Sequence, residues 1–86
     1  MSNDIKAAVF ETIHEVLKPQ NSPELAELVK QPDFRFRDIS DSSLKLVEFC
    51  MTLEEKIDIE IEFSDLLDNA TLQKFVLFLE KQSTGG

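Results

Sequence analysis

The sequence predicts an all-α domain, on three observations. Apolar residues recur at helical spacing through three long stretches. The chain has three prolines and two glycines, and the glycines are Gly85 and Gly86, so the turn residues of a many-stranded sheet are missing. The one strictly alternating stretch, "IDIEIEF" over 57–63, has no second strand to pair with, and a lone strand is unstable. A chain of 86 residues implies one domain, 1–86. At this length only about 60–65% of the unfolded surface is buried, so the core is modest.

The first helix is expected from Asp4 to Lys18. Ile5, Ala8, Val9, Ile13, Val16 and Leu17 form its apolar stripe, Asn3 or Asp4 caps its start and Pro19 ends it. His14 falls opposite that stripe. It reads as a solvated histidine, because no other histidine exists to complete a metal site. A long connection follows, broken by Pro19, Pro23 and Pro32. Within it "SPELAELVK" predicts an extra short helix, with Ser22 at N-cap, Pro23 at N1, and Leu25, Leu28 and Val29 on one face. Phe34 and Phe36 alternate with Arg35 and Arg37. Such alternation occurs where bases stack on aromatics, but two arginines in an acidic chain make a poor phosphate track. Two phenylalanines that pin the connection to the core are the simpler reading.

The central helix contains "DSSLKLVEFCMTLEE", 41–55. Stepping about 100° per residue puts Leu46, Phe49, Cys50, Leu53 and Ile57 in one arc, the core stripe. Leu44, Val47 and Met51 fall in a second arc bordered by Glu48, Glu54 and Glu55. Lys45, Thr52 and Lys56 fill the remaining side. The second arc reads either as more core, if a small bundle surrounds this helix, or as a docking strip. The glutamates favour docking, because burying them unpaired is costly. Cys50 lies on the core arc and reads as a small buried hydrophobe. Beyond the helix, Ile59 and Ile61 dip into the core from an extended segment. Ser64 caps about one helical turn. Thr71 caps a last helix that turns Leu72, Phe75, Val76 and Leu79 inward, and residues 82–86, "QSTGG", form a flexible tail.

Seventeen acidic against nine basic residues give a net charge of −8. Nucleic acid and anionic membrane both repel such a chain, so basic protein partners are expected. One cysteine forms no internal disulfide, and "MSNDIKAAVF" has no long apolar run, so the expectation is a cytoplasmic protein without a signal peptide or membrane span. An enzyme has little to rest on: one His, one Cys, no glycine-rich phosphate loop and no metal-ligand spacing.

"DSSLKLVEFCMTLEEKIDIEI" resembles the signature of acyl carrier proteins, which run Gly-x-Asp-Ser-Leu, then Val-Glu-Leu, Leu-Glu-Glu and an Asp-Ile-Glu-Ile-type segment. Ser43-Leu44, Val47 to Phe49, Leu53 to Glu55 and Asp58 to Ile61 match these blocks without a gap. The resemblance implies a four-helix bundle whose serine bears 4′-phosphopantetheine as a phosphodiester. The arm's thiol holds an acyl, aminoacyl or polyketide group as a thioester for partner enzymes. It implies Ser43 as the attachment site, with Ser42 the second candidate because Asp41 precedes it. Leu44, Lys45, Val47, Glu48, Met51, Glu54 and Glu55 become the partner surface. The implied partners of this monomeric carrier are a phosphopantetheinyl transferase and acyl-loading ligases, synthases or transferases with basic patches. Ser40 stands where the family has glycine, Ser42 where it has aspartate, and Lys45 where an acid is common, which suggests a specialised, stand-alone carrier. The alternative is an unmodified acidic interaction module on the same fold.

Overall fold

The computed structural model describes residues 2–84, with side chains over 5–82. The fold is all-α. Four principal helices make the bundle: α1 (Ser2–Thr12), α4 (Ser43–Ile57), α5 (Phe63–Asp68) and α6 (Leu72–Thr84). Two short helices, α2 (Pro23–Leu28) and α3 (Phe36–Ile39), sit in the connection between α1 and α4, and no strand occurs among the described residues. The alternating segment 57–63 comprises the end of α4, an extended link that buries Ile61 and half-buries Ile59, and the first residue of α5.

The expected core faces are the buried ones. Val9 and Ile13 of α1, Phe49 and Leu53 of α4, and Phe75 and Leu79 of α6 are fully buried. Thr12 is buried among them, and its hydroxyl donates to the Ala8 carbonyl at 2.7 Å, so no polar group is left unpaired there. Lys56 joins α4 to α1 from outside. Its ammonium lies 2.8 Å from both Glu11 and Glu15, which holds the Glu11 carboxyl below its ordinary range and the Lys56 amine above its own.

Several boundaries differ from the sequence-based expectations. α1 begins at Ser2, so Asn3 and Asp4 stand inside its first turn instead of capping it. Its last turn, Ile13–Leu17, widens to π geometry, and the Lys18 N–H donates back to the Ile13 carbonyl at 3.0 Å. Ser22 stands at the α2 N-cap but its side chain makes no capping bond. Ser64 lies inside α5, and Glu62 is the N-cap, because the Asp65 carboxylate takes the Glu62 N–H at 2.9 Å and starts the helix earlier. Gln82, Ser83 and Thr84, assigned to a flexible tail, continue α6; Gly85 and Gly86 lie outside the described residues.

The connection before α4 is strapped across the start of α6. The Phe36 N–H donates to the Ala70 carbonyl at 3.1 Å, the Leu72 N–H donates to the Phe34 carbonyl at 2.8 Å, and Arg35 forms an isolated antiparallel bridge with Thr71. The Asp33 carboxylate accepts the Gln73 N–H at 2.9 Å, while the Thr71 hydroxyl takes the Lys74 N–H at 3.4 Å as expected of a cap. Phe34 and Phe36 are both buried, so they do pin the connection to the core. Arg35 and Arg37 stay exposed.

Candidate functional site

The start of α4 is built by three serines with different jobs. Ser40 follows α3, and its hydroxyl accepts the Ser42 N–H at 3.3 Å, which turns the chain toward α4. Ser42 is the N-cap, and its hydroxyl accepts the Lys45 N–H at 3.4 Å. Serine and aspartate are nearly equal as N-caps, so Ser42 does there what an aspartate would do. Ser43 is the first helical residue. It is exposed, and its hydroxyl makes no hydrogen bond among the described residues. The sequence named both Ser42 and Ser43; the structure separates a hydroxyl in use from one that is free.

The electrostatics of this helix start favour an anion. The first N–H groups of a helix have no partner inside it and sit at the positive end of its dipole. No acidic residue occupies the first turn of α4, and Lys45 adds a positive charge there. A phosphodiester on Ser43 would therefore gain from the dipole without meeting a carboxylate in the same turn.

Below Ser43, α4 shows two faces. Leu46, Phe49, Cys50 and Leu53 are buried and Ile57 is half-buried. Opposite them Leu44 is 83% exposed and Met51 63% exposed, with Val47 half-buried at the border. Such exposure rules out the reading of this arc as more core. Glu48 and Glu55 are exposed along the strip, and Glu54 is half-buried. Lys45 and Glu48 form an exposed ion pair at 3.8 Å, a contact the arc assignment did not foresee although the i, i+3 spacing allows it. Lys56 is bound to Glu11 and Glu15 of α1 and so belongs to the scaffold. His14 is exposed, with Nδ1 2.8 Å from the Phe10 carbonyl. Among the described residues no cluster of His, Cys, Asp or Glu could hold a metal, and no helix is long and apolar enough to cross a membrane.

Residues 8–79 match the family described as "Phosphopantetheine attachment site". The chain is 35% identical over 74 residues to the protein named "Acyl carrier protein" of Campylobacter concisus (strain 13826), a match covering 86% of this chain and 95% of the relative. It is 33% identical over 73 residues to the "Acyl carrier protein" of Campylobacter lari (strain RM2100 / D67 / ATCC BAA-1060), covering 85% of this chain and 94% of the relative. No solved structure matches significantly.

Cys50 has no part in the chemistry at the helix start. It is buried, and burial, with Asp65 and Glu54 nearby, pushes its thiol from an ordinary value of 9.0 up to about 11. A thiol that stays protonated at neutral pH is a poor nucleophile. A folded-state pKa raised in this way stabilises the fold in full below pH 9, and the contribution is lost as pH rises through about 11. An aromatic disulfide reagent at pH 8 is expected to leave Cys50 unreacted in the folded chain and to react with it promptly in urea. The stability difference between wild type and Cys50→Ala is expected to shrink between pH 9 and 11 in urea titrations; a constant difference would count against the shifted thiol.

Proposed function

The chain belongs to the phosphopantetheine-attachment family of acyl carrier proteins, and from that premise we propose that Ser43 carries the arm, with the exposed strip of α4 presented to partner enzymes. The protein is a carrier and not an enzyme. Its cofactor is covalent 4′-phosphopantetheine, whose thiol takes the cargo as a thioester. The observation that supports Ser43 is the division of labour at the helix start: the Ser42 hydroxyl is occupied by the Lys45 N–H and the Ser43 hydroxyl is exposed and free. Ser42 shapes the helix start and Ser43 offers the nucleophilic oxygen to the transferase.

Leu44, Val47 and Met51 with Glu48, Glu54 and Glu55 make a strip that suits brief, specific contact. Apolar side chains give a small area to bury, and carboxylates steer basic enzymes toward it. The partners proposed are a phosphopantetheinyl transferase and acyl-loading ligases, synthases or transferases of fatty acid, polyketide or related pathways, met in the cytoplasm by a monomeric carrier. Lys45 tempers the attraction at the end nearest Ser43, because it neutralises Glu48 in part. That placement favours dedicated partners.

The interior supports a cargo carried outside the bundle. Phe75 is fully buried on α6, with its ring centroid 5.3 Å from Phe36 and 6.0 Å from Phe49. Phe36 and Phe49 lie 5.4 Å apart. Three rings in mutual contact occupy the space between α3, α4 and α6, and close-packed cores resist the insertion of more carbon.

Three outcomes test these readings. Incubation with coenzyme A and a promiscuous phosphopantetheinyl transferase, followed by intact mass and peptide mapping, is expected to show the arm on Ser43. Ser43→Ala is expected to abolish modification. Ser42→Ala should keep it while losing about 1 kcal/mol of stability with the cap. An arm found on Ser43→Ala overturns the assignment, and an unmodified wild type favours the interaction module.

Reversing Glu48, Glu54 and Glu55 to lysine is expected to weaken the encounter with a basic transferase by roughly 1–3 kcal/mol at low salt, since exposed pairs contribute about 0.2–1 kcal/mol each. Most of the loss should fall on the association rate and shrink near about 0.5 M salt. The melting temperature should hold; a drop of many degrees would show that these glutamates support the fold.

Loading octanoyl on the arm is expected to move amide resonances near Ser43 only. Shifts spreading through Phe49, Ile61, Phe75 and Leu79 would show that the bundle opens to admit the chain.

A further inference from the structure

Four hydrogen bonds carry the chain from α3 into α4, and Ser40 stands in the middle of them. The Ser40 N–H donates to the Phe36 carbonyl at 3.1 Å. The Ser40 hydroxyl accepts the Ser42 N–H at 3.3 Å. Ser42 in turn accepts twice: its hydroxyl takes the Lys45 N–H at 3.4 Å and its carbonyl takes the Leu46 N–H at 3.1 Å. Ser40 is half-buried, whereas Asp41, Ser42 and Ser43 are exposed. Ser40 is therefore the anchored member of the loop, tied to α3 by its backbone and to the start of α4 by its side chain.

These bonds decide a contest between two caps. Aspartate and serine are nearly equal as N-caps, and a carboxylate gains more from the helix dipole. Asp41 is exposed, and its carboxylate makes no hydrogen bond or ion pair among the described residues. Local preference alone allows α4 to start one residue earlier, with Asp41 as the cap. Ser42 would then be the first helical residue, the place that Ser43 holds now, and its hydroxyl would be released. In the structure Ser42 instead keeps an extended backbone, φ −80° and ψ 116°, far from the helical ψ of about −42°. Moving the cap requires that backbone to rotate. The Ser40–Ser42 bond spans Asp41 and restrains the rotation.

We propose that Ser40 is a positioning residue for attachment of the arm: by holding the Ser42 N–H it keeps the cap on Ser42, and so reserves Ser43 as the free serine at the helix start. This rests on the reading that Ser43 carries the arm. In the transfer the serine oxygen bonds to the pantetheine-side phosphorus of coenzyme A. The phosphorus–oxygen bond to adenosine bisphosphate breaks, and the hydroxyl proton goes to a base on the transferase. Ser42 enters that step only by giving up the Lys45 N–H, whereas Ser43 gives up nothing. Without the Ser40 hydroxyl, Asp41 takes the cap in part of the population and two adjacent serines compete for one arm.

The test is Ser40→Ala in the full chain, read in two ways. In the isotope-labelled chain before modification, the Cα shift of Ser42 is expected to move toward helical values. After reaction with coenzyme A and a promiscuous phosphopantetheinyl transferase, peptide mapping is expected to show the Ser42 share of product raised about two- to tenfold over wild type, the range that one hydrogen bond sets. Ser40→Asn, whose side-chain carbonyl accepts in the same way, should restore the wild-type pattern. Adding Asp41→Ala to Ser40→Ala removes the rival cap and should also return the arm to Ser43. A Ser42 Cα shift that stays unchanged in Ser40→Ala overturns the proposal. So does a helical shift with the arm still confined to Ser43, or a split that persists in Ser40→Asn or survives Asp41→Ala. A wild-type chain that bears no arm, or bears it on Ser42, overturns the Ser43 reading and with it the reservation of Ser43. The Cα shift needs no arm, so it decides separately whether Ser40 holds the cap.

Discussion

The seating of Phe36 is the constraint on which the site depends. Its ring meets Phe34 at 5.8 Å, Phe49 at 5.4 Å and Phe75 at 5.3 Å, so one side chain touches the connection, α4 and α6 together. Its N–H is tied to the Ala70 carbonyl at the threshold of α6. Phe36 opens α3, and only Ser40, Asp41 and Ser42 separate α3 from Ser43. The position of Ser43 is therefore inherited from an aromatic contact in the core, passed through one turn of helix and three residues of loop. A surface serine alone would wander with its loop. Here the loop is pinned at one end by buried rings and at the other by the cap of a fifteen-residue helix.

The same packing sets the limits of the α4 strip. One helix can show two apolar faces only if its neighbours cover one of them completely. α1 and α5 pack on α4, and Lys56 draws its last turn to α1 through Glu11 and Glu15. Leu46, Phe49, Cys50 and Leu53 are thereby enclosed, which leaves Leu44 and Met51 in water. That exposure forgoes a few kcal/mol of burial at about 25 cal/mol per Å². The sequence tolerates the cost because the strip is small and fenced by carboxylates, which keeps it from acting as a general aggregation site.

Much of this was legible in the sequence because helical periodicity reports burial directly. The two arcs of α4, the inward face of α6 and the buried pair Phe34 and Phe36 all follow from apolar spacing. Readings that depended on a single cap were less secure. Ser64 seemed the natural cap of α5, yet Asp65 reaches back to the Glu62 N–H and moves the start earlier, a competition between two adjacent polar residues that spacing does not rank. α3 was invisible because four residues are too few to show a period. The strap from Asp33 to Gln73 joins residues forty apart in sequence, and no local pattern announces it. At the helix start the blocks around Leu44 gave the register, but which hydroxyl is free depends on which serine caps, and that is a property of the backbone.

The departures from the family pattern are physically coherent once the cap is seen. Replacing an aspartate by Ser42 keeps the N-cap hydrogen bond, since both side chains offer an oxygen to the same N–H groups. It does not keep the charge. An aspartate there would place a carboxylate beside Ser43, partly offsetting the helix dipole; a serine does not. Lys45 in the first turn moves the local field further in the same direction. The glutamates begin one turn later, at Glu48. The charge thus changes along the helix: its first turn holds Lys45 and no acid, and Glu48, Glu54 and Glu55 follow. Within α4 the first acid, Glu48, lies five residues beyond Ser43, a rise of about 7.5 Å, while Asp41 stands two residues before Ser43 in the preceding loop. At a Debye length of about 8 Å that spacing is short enough for the two fields still to be felt together by a docking enzyme, so the pattern of charge, and not its sum, distinguishes this carrier's surface.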